Sequence, residues 1–135
     1  MALQFSVAVR NAMLDAIETT IGTSAVLKIR TGAPPASVAT ADSGTVLATL
    51  TLPSDWMAGA SSGSKAKSGT WEDASADAAG TAAHYRIYAS DGTTAHLQGT
   101  VTATGGGGDL TVDNVVFAAG QSFTVTSYSW TAANS

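Results

Sequence analysis

Two histidines are the side chains of this sequence best suited to metal binding or proton transfer. His84 and His96 lie in two runs of alternating polar and apolar residues that flank Ser90-Asp91-Gly92, so both belong to the polar face of one predicted hairpin. A zinc site needs a third and usually a fourth ligand, and this face offers Arg86 and Gln98 instead. The pattern predicts histidines that face solvent or a neighbouring subunit, and no metal.

The densest acidic cluster consists of Glu72, Asp73 and Asp77. Three carboxylates in a loop could hold calcium, but the segment lacks the regular acidic positions and the terminal glutamate of a calcium loop. Four consecutive glycines at 105–108 are followed by Asp109, where a phosphate-binding loop has a lysine and then a serine or threonine. The sequence thus predicts a solvated acidic turn, a flexible glycine connection and no bound cofactor.

No arrangement for nucleophilic or acid–base catalysis can be argued from the residues. The serines are dispersed, and Gly59-Ala60-Ser61-Ser62-Gly63 lies in a predicted loop instead of between a strand and a helix. No acidic residue stands in an apolar run of the kind that makes a catalytic general acid. We therefore expect no catalytic residues and a protein that is not an enzyme.

Length and composition favour one domain that spans residues 1–135. Charged residues make up only 12% of the chain, the net charge is −4, and there are six lysines and arginines in total, which argues against a nucleic-acid binder. There is no cysteine, so disulfides are excluded. No apolar run is long enough for a membrane helix, and the N-terminus lacks the pattern of a signal peptide. We expect a leaderless protein made in the cytoplasm, with no membrane partner.

Helical periodicity is confined to residues 4–21. Apolar residues recur there every four positions, and Gly22 predicts the end of the helix. After Gly22 the pattern changes to period two, with turn signals between short runs, over residues 24–131. The predicted fold is mainly β: a single antiparallel β-sandwich or jelly-roll-like domain with one N-terminal amphipathic α-helix. The helical stripe consists of Phe5, Val9, Met13, Ile17 and Ile21.

The register of the hairpin follows from its apolar residues. Ile87 and Leu97 must share a face, and all the apolar positions of both runs are odd-numbered. The loop between the two strands must therefore contain an odd number of residues. Ser90, Asp91 and Gly92 meet this requirement as a three-residue loop with Gly92 in the left-handed conformation. The polar face then consists of His84, Arg86, Tyr88, His96, Gln98 and Thr100, and we interpret it as a surface for solvent or for a neighbouring subunit.

Five aromatic residues allow two interpretations. Flat rings suit sugars and could form a carbohydrate-binding platform, whereas in most proteins such residues are core or anchor a protein interface. They are Trp56, Trp71, Tyr88, Tyr128 and Trp130. The sequence leaves both interpretations open.

Four segments together resemble the small virion structural proteins of tailed bacteriophages. They are MALQFSVAVRNAMLDAIE, LTLPSDWM, HYRIYASDGTTAHLQGTV and FAAGQSFTVTSYSWT. The resemblance covers essentially the whole chain and implies a non-enzymatic capsid decoration, or cement, protein located in the virion. Its implied partner is the major capsid protein, and a homo-oligomer is expected. A tail or fibre component that contacts neighbouring tail proteins is one alternative, and a carbohydrate-binding β-sandwich module is another.

Low charge and many hydroxyl side chains agree with a protein that stabilises a shell through contacts. The residues expected to contact a partner lie on the helix, in the loops and among the aromatic residues. They are Phe5, Val9, Met13, Pro34, Pro35, Trp56, Trp71, Tyr128 and Trp130.

Overall fold

The N-terminal helix begins and ends at its capping residues. A computed structural model describes residues 3–132, and in it helix α1 runs Val7–Ile21. The Ser6 hydroxyl accepts a hydrogen bond from the Val9 N–H at 3.2 Å, so the helix starts three residues later than the pattern placed it. Gly22, at a φ of 94°, donates its N–H to the Glu18 carbonyl and ends the helix as predicted.

Eleven short strands follow the helix in the described part of the chain, and no helix there is long and apolar enough to cross a membrane. The strands are β1 (Val26–Arg30), β2 (Val46–Thr51), β3 (Ser64–Ala66), β4 (Trp71–Asp73), β5 (Gly80–Thr81), β6 (His84–Tyr88), β7 (Ala95–Ala103), β8 (Leu110–Val112), β9 (Val116–Phe117), β10 (Phe123–Val125) and β11 (Ser129–Thr131).

The main sheet has five strands in the order β2-β1-β6-β7-β8. All its neighbours are antiparallel except β7 and β8, which are parallel. Three further antiparallel pairs, β10-β4, β11-β3 and β5-β9, complete the strand pairing. A mainly β fold with one helix is therefore confirmed, while the sandwich or jelly-roll arrangement stays a prediction.

The β6–β7 hairpin has the predicted faces but a different loop. Ile87 lies opposite Leu97, which confirms that these two residues share a face. The Ala89 N–H donates to the Thr94 carbonyl, so the loop has four residues (90–93) and by itself would place odd positions opposite even ones. A bulge after Ile87 restores the parity, because it adds one residue to β7. The three-residue loop was therefore wrong, although Gly92 is left-handed as predicted, with a φ of 70°.

The four glycines form an ordered turn instead of the flexible connection that the sequence predicted. Residues 104–109 join the parallel strands β7 and β8, and so short a parallel connection must turn sharply. Gly105 and Gly107 have positive φ, and a Cβ on Gly106 or Gly108 would lie 2.7–2.9 Å from the Thr102 side chain. Only glycine, which has no Cβ, fits in a turn that lies this close to strand β7.

Strands β10 and β11 are separated by residues 126–128, and β3 and β4 are separated by residues 67–70. These strands enclose one hydrophobic cluster that extends from Ile21 to Tyr128 and has Trp56 and Trp71 fully buried within it.

Candidate partner-contact surface

The apolar stripe of helix α1 winds around the helix instead of staying on one face. An α-helix turns about 100° per residue, so a repeat of four residues advances by about 40° at each step. From Val9 to Ile21 the stripe therefore rotates by about 120°. Ile21 is buried, Ile17 is half-buried, and Met13 is exposed. The stripe reaches the core only at its C-terminal end.

Polar side chains hold the helix to the body of the protein. The Lys65 ammonium, on β3, lies 2.7 Å from Asp15 and 2.8 Å from Glu18, and its side chain is almost completely buried. Lys65 lowers the pKa of Asp15 by donating a hydrogen bond to it. Burial lowers the pKa of Lys65, but its hydrogen bonds to Asp15 and Glu18 outweigh that effect and raise the pKa above its ordinary value. Lys65 and Asp15 are therefore both ionised near neutral pH.

Further contacts fix the orientation of the helix. Asn11 accepts a hydrogen bond from the Gly63 N–H at 2.9 Å, and Arg10 donates to the Ala132 carbonyl at 3.3 Å. Leu14 is the buried apolar contact in the middle of the helix. Because these contacts lie along one side, the opposite side of the helix is directed away from the body.

Five large apolar side chains are exposed on the helix and on the segment before it. Their exposed fractions range from 40% to 71%, and Val9 and Met13 are the two that lie on the outward side of the helix. The ionisable residues of the helix, Arg10, Asp15 and Glu18, all contact the body, so the outward side carries no charge of its own. We call the five exposed residues the apolar helix face; they are Leu3, Phe5, Val7, Val9 and Met13.

The aromatic residues predicted to contact a partner are mostly core. Trp56 and Trp71 are fully buried, and Tyr128 is 6% exposed, so none of the three presents a face for a partner or for a sugar. The Trp56 indole N–H donates to the Gly22 carbonyl at 2.9 Å, and the Trp71 N–H donates to the Trp56 and Ser68 carbonyls. The small residues that flank Trp56 and Trp71 in the sequence show no periodicity, so the burial of these two side chains could not be predicted from the pattern. Trp130 is half-buried.

The polar face of β6 is also buried, contrary to the prediction that it faces solvent or a subunit. A covering loop, residues 31–44, lies over it, so that His84, Arg86 and Tyr88 are all nearly inaccessible. His96 and Thr100, on β7, remain exposed as expected. Pro34 and Pro35 belong to the covering loop and are half-buried, and their contact with a partner stays a prediction.

Arg86 is the centre of the contacts beneath the covering loop. It donates two hydrogen bonds to Gln98, one to Asp42 at 2.9 Å, and one each to the Ser37 and Thr40 carbonyls. These bonds satisfy a guanidinium that would otherwise be costly to bury.

Asp42 links this arginine to a second one. Its Oδ2 lies 2.9 Å from Arg30, and the Tyr88 hydroxyl donates at 2.8 Å to Oδ1, the oxygen that also accepts from Arg86. Partial burial raises the pKa of Asp42, but the Tyr88 hydrogen bond and the two arginines outweigh this and hold that pKa below its ordinary value. Asp42 is therefore the ionised residue that ties the covering loop to the sheet.

The other motifs offer no chemistry that the residues around them support. In the described part of the chain no cluster of histidine, aspartate and glutamate has the geometry of a metal site. Gly59-Ala60-Ser61-Ser62-Gly63 has the spacing of a hydrolase nucleophile elbow, but it forms a turn that leads into strand β3 and not into a helix. Asp73 and Asp77 are bound to the backbone and side chain of Thr49, so the acidic cluster fastens its loop to β2.

Comparison of the chain with models of protein families, with curated proteins and with solved structures found no match. The apolar helix face, rigidly mounted and free of charge, is the surface that the geometry favours for contact with a partner.

Proposed function

We propose that this protein is a non-enzymatic structural protein of a phage virion, a capsid decoration or cement protein. In this proposal it binds the outside of the head, contacts the major capsid protein through the apolar helix face, and stabilises the shell. The observation that carries the proposal is the exposure of five large apolar side chains on helix α1 and the segment before it. Val9 and Met13 are four residues apart and are therefore neighbours on the helix surface, and exposed apolar patches on a protein surface often mark interaction sites.

The way the helix is mounted also supports a contact role. Binding costs free energy when loose segments must be ordered, and the contacts of Lys65, Asn11 and Arg10 already hold the helix in place. Burial of apolar area contributes about 25 cal/mol per Å², so a few side chains give each copy a modest affinity. Many copies on one lattice stabilise the assembled shell by mass action.

The finer features of the proposal come from the resemblance and the strand pattern. The domain is taken as a β-sandwich or jelly roll, and the protein as a homo-oligomer in the virion. A tail or fibre component would use the same helix face on neighbouring tail proteins. Imaging of intact particles separates the two locations, because a decoration protein is present in hundreds of copies on the head and a tail component in a dozen or fewer.

The experiment uses heads that lack this protein and measures binding by co-sedimentation. The Val9→Ser, Met13→Ser double variant is expected to bind at least about tenfold more weakly, because it removes two apolar contacts. Val116→Ser is the matched control, since Val116 is 57% exposed and lies on strand β9, not on the helix. Equal binding by the double variant and the wild type would contradict the proposed role of the helix face.

A further inference from the structure

A second surface feature is a pocket between helix α1, strand β7 and strand β11. Its volume is about 370 Å³, at the lower end of the range for small-molecule sites. Leu14, Ile17 and Leu97 form an aliphatic wall, and Trp130 lines another side. The pocket differs from the open aromatic platform considered from the sequence, because Trp56 and Trp71 are not part of it.

Two buried tyrosines supply the polar floor of this pocket. Tyr85 is 2% exposed and Tyr128 is 6% exposed, and their hydroxyl oxygens lie 2.7 Å apart. The Trp130 indole N–H donates to the Tyr128 hydroxyl at 2.8 Å. Burial raises the pKa of both tyrosines, and the negative charge of Asp109 adds to that effect, so both hydroxyls keep their protons.

A count of these protons leaves one donor unused. The tyrosine pair has two hydroxyl protons, and the single hydrogen bond between the two oxygens uses one of them. The Tyr128 oxygen already accepts from Trp130, and no other described residue accepts from either hydroxyl. One O–H group at the floor of the pocket is therefore available to a ligand that can accept a hydrogen bond.

Asp109 supplies an acceptor beside this donor. Its Oδ2 accepts from the Thr100 N–H at 3.0 Å and from the Thr100 hydroxyl, whereas Oδ1 has no hydrogen-bond partner among the described residues. A Cβ on Gly99 would lie 2.8 Å from the Tyr85 ring and 2.9 Å from Asp109. The absence of a side chain at Gly99 thus allows the tyrosine and the carboxylate to approach each other.

We propose that this pocket binds a single sugar ring, with one sugar hydroxyl accepting from the tyrosine pair and a hydroxyl donating to Asp109. A sugar hydroxyl can both accept and donate, and the C–H face of a sugar ring suits the aliphatic wall and the Trp130 ring. A simple anion is disfavoured by the charge of Asp109, and a simple cation would leave the tyrosine O–H without an acceptor. This proposal is independent of capsid binding.

The test is an NMR titration of the full chain with glucose, galactose, mannose and N-acetylglucosamine, each up to about 100 mM. At least one sugar is expected to shift the Trp130 indole N–H signal saturably. The signals of Trp56 and Trp71 should shift less, because both indoles are fully buried and neither lines the pocket. No saturable shift with any of the four sugars, or an equal shift with the acyclic polyol sorbitol, would overturn the proposal.

Asp109→Asn keeps the size of the side chain and an oxygen for the Thr100 N–H but removes the charged acceptor. We expect it to weaken sugar binding about tenfold, the loss of one charge-assisted hydrogen bond. Asp113→Asn is the matched control, because Asp113 is an exposed acid that lines a different pocket, and it should bind as the wild type does. Unchanged affinity in a folded Asp109→Asn protein would also overturn the proposal. If the Asp109→Asn variant does not fold, the titration of the wild type alone decides whether the pocket binds a sugar.

Discussion

Helix α1 and strand β6 are attached to the protein in opposite ways. The helix meets the body largely through ionised and polar side chains, with Lys65 between Asp15 and Glu18, and leaves large apolar residues in solvent. Strand β6 buries a histidine, an arginine and a tyrosine beneath the covering loop. Polar residues are thus inside at both places, whereas the apolar residues Val9 and Met13 of the helix are outside.

The difference between the two regions lies in how completely each contact is closed. Arg86 has a partner for every group of its guanidinium, because the covering loop supplies two carbonyls and a carboxylate. Arg10, Asp15 and Glu18 of the helix also bond to the body, although the buried Nε of Arg10 has no partner among the described residues, and Val9 and Met13 are exposed. Satisfied polar contacts specify one arrangement of the chain, and the exposed apolar side chains are the ones available to a partner.

The largest effect should come from opening the contacts beneath the covering loop. Arg86→Met leaves the Ser37 and Thr40 carbonyls without their donor, and we expect it to lower the free energy of unfolding by about 3–5 kcal/mol. Denaturant unfolding measures this. Lys67→Met is the control, since Lys67 donates only to the nearby Gly69 carbonyl and lies over the Trp71 ring, and it should cost at most about 1 kcal/mol. Equal costs would mean that Arg86 is not the centre of this region.

A smaller effect is expected where the helix is anchored. Lys65→Met removes the ammonium that holds Asp15 and Glu18, but these two carboxylates are partly exposed and can be hydrated. We expect a loss of about 2 kcal/mol, below the range for a fully buried pair. Hydrogen exchange should show the amide protons of helix α1 exchanging faster while those of β1 keep their protection. Faster exchange throughout the main sheet would contradict a local anchoring role.

The charge of Asp42 makes part of the stability depend on pH. Its pKa is below 3.8 in the folded protein, so its stabilising contribution is present above pH 3.8 and is lost as the pH falls through the lower, folded value. Asp42→Asn should cost about 1 kcal/mol at pH 7, because the carboxylate is partly exposed. The difference from the wild type should shrink below pH 4 in denaturant titrations. A difference that grows with acid would have the wrong sign.

The smallest effect on stability should come from the apolar helix face. Met13→Ser replaces a side chain that is 48% exposed, and we expect a change within about 0.5 kcal/mol. Leu14→Ser, one residue further along the same helix, replaces a side chain that is 4% exposed and should cost several times more. Thermal unfolding of the two variants compares the faces directly. A large loss for Met13→Ser would show that this side chain packs within the single chain.

The elements that the sequence predicted well are those governed by near neighbours. Gly22 determines the C-terminal end of the helix, and the alternation around Ile87 and Leu97 determines which side chains share a face of the hairpin. The start at Val7 follows from the Ser6 cap, which the apolar repeat does not indicate. The hairpin loop could not be predicted to the residue, because a four-residue loop with a bulge and a three-residue loop give the same parity.

The predicted contact residues differ in their exposure. Val9 and Met13 are exposed and their contact with a partner stays a prediction, but the same four-residue repeat continues to Ile21 in the core, and the sequence pattern treats all of them alike. Trp56 and Trp71 were predicted to contact a partner, but both are buried. Their indole N–H groups donate to backbone carbonyls, and no local sequence pattern indicates these hydrogen bonds.

By itself, the sequence determined the helix and its C-terminal end, a mainly β chain after it, and the faces of the β6–β7 hairpin, because periodicity and capping act over a few residues. Only the tertiary structure decided which face of each element is covered. Asp42 reaches Arg86 across 44 residues of chain, and Lys65 reaches Asp15 across 50. The burial of a surface depends on which groups lie over it. For strand β6 and for helix α1 those groups come from a distant part of the chain.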